Sequence, residues 1–230
     1  MLIDRYPEEF SVERLREFKS SGRADAGNSK GDALPFAKLS LDKALEYWGR
    51  HRRESKEDFW QSFFEANPHV LSLAFPSAVF RMGSKFYVGG KTKANSGGNL
   101  ADFAFGETST QNILLVEIKT PETKLLGRQY REGVFAPSSD LSGSIAQVLS
   151  QADNLQKDFF SVCRDHVGAF AYNPRSLILI GDVENELKSR DHIRSFELYR
   201  GSLSRITILT YDELYLKLYS LVDDLNRVMK

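Results

Sequence analysis

Asp102, Glu117 and Lys119 are the residues of this chain whose types and spacing could do chemistry together. They lie in GNLADFAFGETSTQNILLVEIKTPET, residues 98–123. Two apolar runs, Ala101–Phe105 and Ile113–Lys119, flank GETSTQN and read as a hairpin. If Gly106 pairs with Ile113, the same register sets Asp102 opposite Glu117. Side chains alternate along a strand, so Glu117 and Lys119 share a face and Ile118 points away. Two neighbouring carboxylates repel unless a positive group lies between them. Mg²⁺ meets that need, because it takes one or two carboxylates and fills its shell with water and phosphate oxygens. Mn²⁺ would suit the same donors. The Ile118 carbonyl would add one more hard oxygen. Lys119 would orient or deprotonate an attacking water, or stabilise charge building on a phosphate. That is a site for metal-assisted hydrolysis of a phosphodiester.

The bland alternative is a set of solvated charges at strand ends, where ion pairs are worth little. A bare D…ExK spacing also arises by chance. Two features count against the alternative. ILLV before Glu117 is apolar on both faces, which marks a central strand. The loop length also brings Asp102 into register with Glu117 instead of past it.

The elements that must hold these residues follow from periodicity. Residues 1–20 carry Phe10, Leu15 and Phe18 on one side of a short helix, and SSGRADAGNSKGDA at 20–33 reads as a linker. The organisation expected is an appendage over 1–38 and a main domain over 39–230. A helix over 39–51 has Ser40 as N-cap. Ser55-Lys56-Glu57-Asp58 resembles a capping box opening a second helix, with Phe59, Trp60, Phe63 and Phe64 on one side. Asn67-Pro68 ends it. Val79–Val88 reads as the first strand and 89–99 as a Gly-rich loop. After Pro121 comes a loop rich in Lys, Arg and Tyr. From about Asp140 a helix carries Leu141, Ile145, Val148, Ala152, Leu155 and Phe159 as a stripe. Strands follow at 176–183 and 205–210. A capping box at Thr210–Glu213 starts a leucine-striped last helix. Three meandering strands and a helical crossover make a mixed α/β sheet flanked by helices.

Composition narrows the classes. The chain has 230 residues, 41% of them apolar and 27% charged, as in globular proteins. Lys and Arg number 31, as do Asp and Glu, so bulk positive charge is not what would hold nucleic acid. The single Cys163 excludes an internal disulfide and a Cys-rich metal site. No apolar run approaches the roughly 20 residues of a membrane span, and MLIDRYPEEF lacks a signal-peptide pattern. A cytoplasmic protein is expected, with no membrane contact. GSKFYVGGKT ends like a P-loop, but Lys85 stands where an earlier Gly is required, so no nucleotide cofactor is expected. The four histidines show no zinc spacing.

Asp102-x14-Glu117-x-Lys119 resembles the PD-(D/E)XK nuclease motif, with Ala101 at its Pro position. EDFWQSFFEANPHVL, LLVEIKTPETKLL, YREGVFAPSSDLSGSIAQV and ITILTYDEL resemble the C-terminal nuclease domain of Shedu anti-phage proteins, from roughly residue 54 to 218. The resemblance implies a restriction-endonuclease-like fold, Mg²⁺-dependent DNA cleavage in phage defence and a homo-oligomer. Asp102 and Glu117 carry over as metal ligands and Lys119 as the catalytic lysine. Gln147 matches the glutamine on the helix after the third strand. Glu57 matches an acidic position that approaches the metal in related nucleases. The related Gln-x-x-x-Tyr pattern has Gln151 at the Tyr position here. Lys124, Arg128, Tyr130 and Arg131 leave the motif directly and are candidates to grip a DNA backbone. A module that holds nucleic acid or protein without cutting is the alternative.

Overall fold

The computed structural model describes residues 41–90, 97–164, 166 and 168–228. The expected appendage, its linker, Ser40 and residues 91–96 of the Gly-rich loop lie outside them. Residues 41–50 are helical (α1). They are followed by α2 (Glu57–Ala66), α3 (Pro68–Ser72), β1 (Val79–Tyr87), β2 (Leu100–Glu107) and β3 (Asn112–Ile118). Next come β4 (Leu126–Arg131), β5 (Val134–Pro137), α4 (Ser139–Lys157) and α5 (Phe159–Val162). The chain closes with β6 (Phe170–Leu179), α6 (Val183–Glu186), α7 (Arg190–Gly201), β7 (Ile206–Leu209) and α8 (Tyr211–Val228).

The main sheet runs β1-β2-β3-β6-β7. β1, β2 and β3 form an antiparallel meander, and β6 and β7 then add in parallel. A parallel partner needs a crossover, and α4 provides it. β3 is therefore central, as its unbroken apolar run requires, and Ile113 to Ile118 are all buried. The α/β sheet is flanked on both faces. Trp48, Trp60, Phe64, Leu71 and Leu214 from α1, α2, α3 and α8 pack on Phe103, Val116, Ile118 and Leu179. On the other face, Leu141, Val148 and Phe196 from α4 and α7 meet Ile178 and Ile208. Leu155, further along α4, meets Leu115. This is a restriction-endonuclease-like arrangement. No helix among the described residues is long and apolar enough to cross a membrane.

Local chemistry sets the ends of the elements. Ser138 caps α4, its hydroxyl accepting from Leu141 N–H at 2.9 Å. Thr210-Tyr211-Asp212-Glu213 makes half of the expected box, since Glu213 accepts from Thr210 N–H at 3.0 Å while the Thr210 hydroxyl has no partner. The box at Ser55 does not form. The cap residue is Lys56 and uses no side chain. Glu54 acts instead, accepting from Lys56 N–H at 3.1 Å and, through its carbonyl, from Trp60 Nε1 at 2.9 Å. The stretch read as a loop after Pro121 contains a hairpin, β4–β5. β6 begins at Phe170, well before the apolar run that reveals it, and α7 was not expected at all.

Leu115 tests the central position of β3, since it is fully buried. Leu115→Ala should lower stability by about 2–5 kcal/mol in urea unfolding. Leu216→Ala, at a 58% exposed position, should stay within about 0.5 kcal/mol.

Candidate active site

The β2–β3 ladder pairs Gly106 with Ile113 and ends at Phe103 with Val116, one pair short of Asp102 and Glu117. Beyond that point side chains take over from backbone. Lys119 N–H donates across to Leu179 on the β6 side at 2.8 Å, so the neighbouring Ile118 turns its backbone toward β2. Ile118 N–H meets the Asp102 carboxylate there, Oδ2 accepting at 2.9 Å. A residue's C=O leaves a strand on the same side as its N–H, which sets the Ile118 carbonyl along the edge Asp102 occupies. Asp102 is 6% exposed. Its Oδ1 accepts from Lys85 Nζ at 2.9 Å, and its backbone carbonyl accepts from Gln61 Nε2 at 3.4 Å.

Glu117 is more enclosed, at 2% exposed. Its Oε1 accepts from Lys119 Nζ and from Gln147 Nε2, both at 2.8 Å. Its Oε2 accepts from Gln151 Nε2 at 3.3 Å. α4 thus turns two glutamines, one helical turn apart, onto the same carboxylate. Gln151 Nε2 also reaches the Leu100 carbonyl at 3.0 Å and so ties the start of β2 to the end of β3. Its Oε1 is buried with no partner. Burial pushes the Glu117 carboxyl above its ordinary value, and the charge of Asp102 adds to that; Lys119 and Gln151 pull the other way.

Lys119 leaves β3 at the open end of the pair. Its Nζ also reaches Glu57 Oε2, in the first turn of α2, at 3.3 Å. Burial would lower the Lys119 ammonium, but Glu117 and Glu57 more than offset it and hold it above its ordinary value. The Tyr211 hydroxyl donates to the Lys119 carbonyl and fixes the exit of the strand.

Asp102, Glu117, Lys119, Gln147 and Glu57 therefore come from β2, β3, α4 and α2 into one network. A groove of about 700 Å³ opens beside them, lined by Lys119, Thr120, Lys124, Ser55, Gly143 and Gln147 among others. Lys124 reaches this groove. Arg128, Tyr130 and Arg131 do not line it. They lie on exposed positions of β4, with Arg131 over the Tyr130 ring at 5.5 Å. The sequence reading puts the lysines of GSKFYVGGKT along a substrate path but does not pair Lys85 with Asp102, which is 17 positions away in sequence.

The donor set can be tested against a divalent ion. Among the described residues, no group of three or more His, Cys, Asp or Glu could hold a metal. Glu57 enters through Lys119 rather than as a third carboxylate. The two carboxylates and the Ile118 carbonyl fit Mg²⁺, which takes one or two carboxylates and fills its shell with other oxygens. Glu117 is raised chiefly by burial and then by the charge of Asp102 beside it, so positive charge brought to the pair would stabilise both carboxylates.

A family model described as "Shedu protein SduA, C-terminal" matches residues 54–215. The Shedu protein SduA of Bacillus cereus (strain B4264) is 32% identical over 218 residues, 92% of this chain. The chain belongs to the Shedu SduA family. It spans 56% of the length of that curated relative. The matched stretch contains each Shedu-like segment singled out in the sequence and every residue of the network around Glu117.

Tyr211 is the tie between this Shedu-type site and the core beneath it. Burial, then the charges of Glu57 and Asp102, pushes its phenol well above the ordinary value of 10.0. An acid whose folded value is raised stabilises the fold below its unfolded value and loses that contribution as pH climbs past it. Tyr211→Phe should cost about 1–2 kcal/mol at neutral pH in urea unfolding. It should also flatten the loss of stability expected of the parent protein above pH 10.0.

Proposed function

We propose that this Shedu family member is a Mg²⁺-dependent endodeoxyribonuclease that serves in defence against phage. The observation that carries the reading is the Asp102–Glu117 pair, buried side by side at a strand end with the Lys119 ammonium on Glu117. Asp102, Glu117 and the Ile118 carbonyl would hold Mg²⁺, or Mn²⁺ in its place. Bound there, the ion would supply an activated water and a counter-charge for the phosphate. Gln147 and Gln151 fix both Glu117 oxygens and so set the direction from which that carboxylate faces the ion. Lys119, paired with Glu117 and Glu57, would stabilise charge building on the phosphate. Glu57 keeps the lysine turned into the site.

The hydroxyls of the adjoining groove and its Lys119 and Lys124, set against Glu122 and Asp140, would take a sugar–phosphate chain, which is gripped mainly through its phosphates. Lys124 is the first contact along it. Arg128, Tyr130 and Arg131 would meet DNA only further out, along β4. A homo-oligomer and a cytoplasmic setting belong to the same reading. The second reading is a module that binds without cutting. It is favoured by one observation, that each carboxylate already carries an ammonium.

Supercoiled plasmid with and without Mg²⁺ separates the two. The parent protein should cut only with metal. Asp102→Ala, Glu117→Ala and Lys119→Ala should each slow cleavage by about 100-fold or more while keeping DNA affinity within a few-fold. Binding without cleavage by the parent protein, in Mg²⁺ and in Mn²⁺, would establish the module instead.

A further inference from the structure

We propose that Lys85 is a built-in counter-ion that competes with the divalent cation for Asp102 and, once displaced, binds the substrate phosphate. This rests on the metal-dependent reading above and adds a residue that neither the motif nor the family match assigns.

Lys85 lies across β1 from Asp102, between the pairs Ser84 with Phe103 and Phe86 with Ala101. Its backbone sits at φ 47°, inside a strand, where an L side chain is strained. Such strain persists only where the surroundings impose it. Here it accompanies a side chain delivered to a single atom, Asp102 Oδ1, at 2.9 Å. The two partners differ in exposure. The Lys85 side chain is 51% exposed and that of Asp102 only 9%. The ammonium therefore reaches in from the solvent side and covers a carboxylate that cannot leave. Glu57 and Glu117 also act on it with their charges.

Each oxygen of Asp102 already accepts one hydrogen bond, Oδ2 from the backbone N–H of Ile118 and Oδ1 from the half-exposed Lys85 ammonium. Of these two donors only the lysine, on its flexible stem, can swing away to make room for a metal. A divalent cation arriving there repels the ammonium and takes its partner. Lys85 then stands at the mouth of a charged site with no carboxylate to itself. The anion nearest to hand is the phosphate brought in by the substrate. Lys119, by contrast, has two carboxylate partners, and Glu57, which is not among the proposed metal ligands, would still hold it if the metal took Glu117. The two lysines are therefore not equivalent: one stays and one moves.

The test uses the full chain and Mn²⁺ binding by calorimetry without DNA. Lys85→Gln should bind Mn²⁺ about fivefold more tightly, since no occupant must be displaced. Lys85→Gly should do the same, and it relieves the φ strain, so a misfolded variant cannot mimic the result. Lys85→Arg should restore the parent affinity. Arg81→Gln removes a charge from the same strand without a contact to Asp102 and should leave affinity unchanged. Duplex DNA binding gives the other half. With Ca²⁺ present, Lys85→Gln should weaken it several-fold; without divalent ions the loss should vanish. Equal Mn²⁺ affinity in parent and Lys85→Gln, a matching gain in Arg81→Gln, or a DNA loss independent of metal would each overturn the proposal alone. A parent protein that binds no Mn²⁺ would overturn the metal-dependent reading together with it.

Discussion

Two carboxylates are held out of water at the end of a sheet, close enough for one to raise the other. Moving one such ion from water costs several kcal/mol even after relaxation, unless partners replace the lost hydration. The partners here are one backbone amide, two glutamine amides and two ammoniums. They arrive from β1, β3, α4 and the turn that follows β3. No local stretch of chain can assemble them, so the site exists only when the three layers are packed. The end of the β2–β3 ladder is what admits them. Had pairing continued, Ile118 N–H would have met a β2 carbonyl and Asp102 would have had no donor there.

The layer beneath accounts for the rigidity such a site needs. Trp48 and Trp60 meet edge to face, 5.4 Å between centroids, and Tyr211 lies 4.6 Å from Trp60. These large side chains are almost wholly buried and lock one another. Tyr211 carries that rigidity upward, because its hydroxyl ends on the Lys119 carbonyl. On the opposite face α4 is fixed by Leu141, Val148 and Leu155, on the side of the helix that also bears Gln151. The glutamine amides therefore approach Glu117 from a helix that cannot roll. Groups held within a fraction of an ångström by packed neighbours are what preorganised charge requires.

Much of this was legible in the sequence because it depends on short periods. The register that sets Asp102 by Glu117 followed from one loop length, and Phe103 with Val116 keeps it. The stripe on α4 and the central place of β3 followed from apolar spacing. What stayed hidden depends on breaks in the period. β1 slips by one residue between Arg81 and Gly83, and no pattern in VFRMGSKFY announces it. Without that slip Lys85 could not be assigned to Asp102. β6 carries Asn173 at φ 47° and Pro174, so its first half does not read as a strand. The β4–β5 hairpin is exposed along most of β4, and its Arg and Tyr content resembles a solvated loop. Ser55 failed as a cap because Glu54, one residue earlier, already served the neighbouring donors.

The formal charges of the site bear on how a chain of zero net charge would handle DNA under the proposed function. Asp102, Glu117 and Glu57 set three carboxylates against the ammoniums of Lys85 and Lys119, an excess of one negative charge. A polyanion approaching that surface is repelled, weakly but over about a Debye length of 8–10 Å. On the proposed function, a divalent cation bound there would reverse the sign of the excess. The same five side chains would then attract a phosphate they otherwise oppose, and affinity for DNA would be coupled to the ion through charge, before any bond to the phosphate forms. A uniformly basic surface would lack this coupling, because it would hold DNA whether or not the ion were present. If the proposed function holds, a balanced composition with charge gathered at one strand end would make binding wait for the ion.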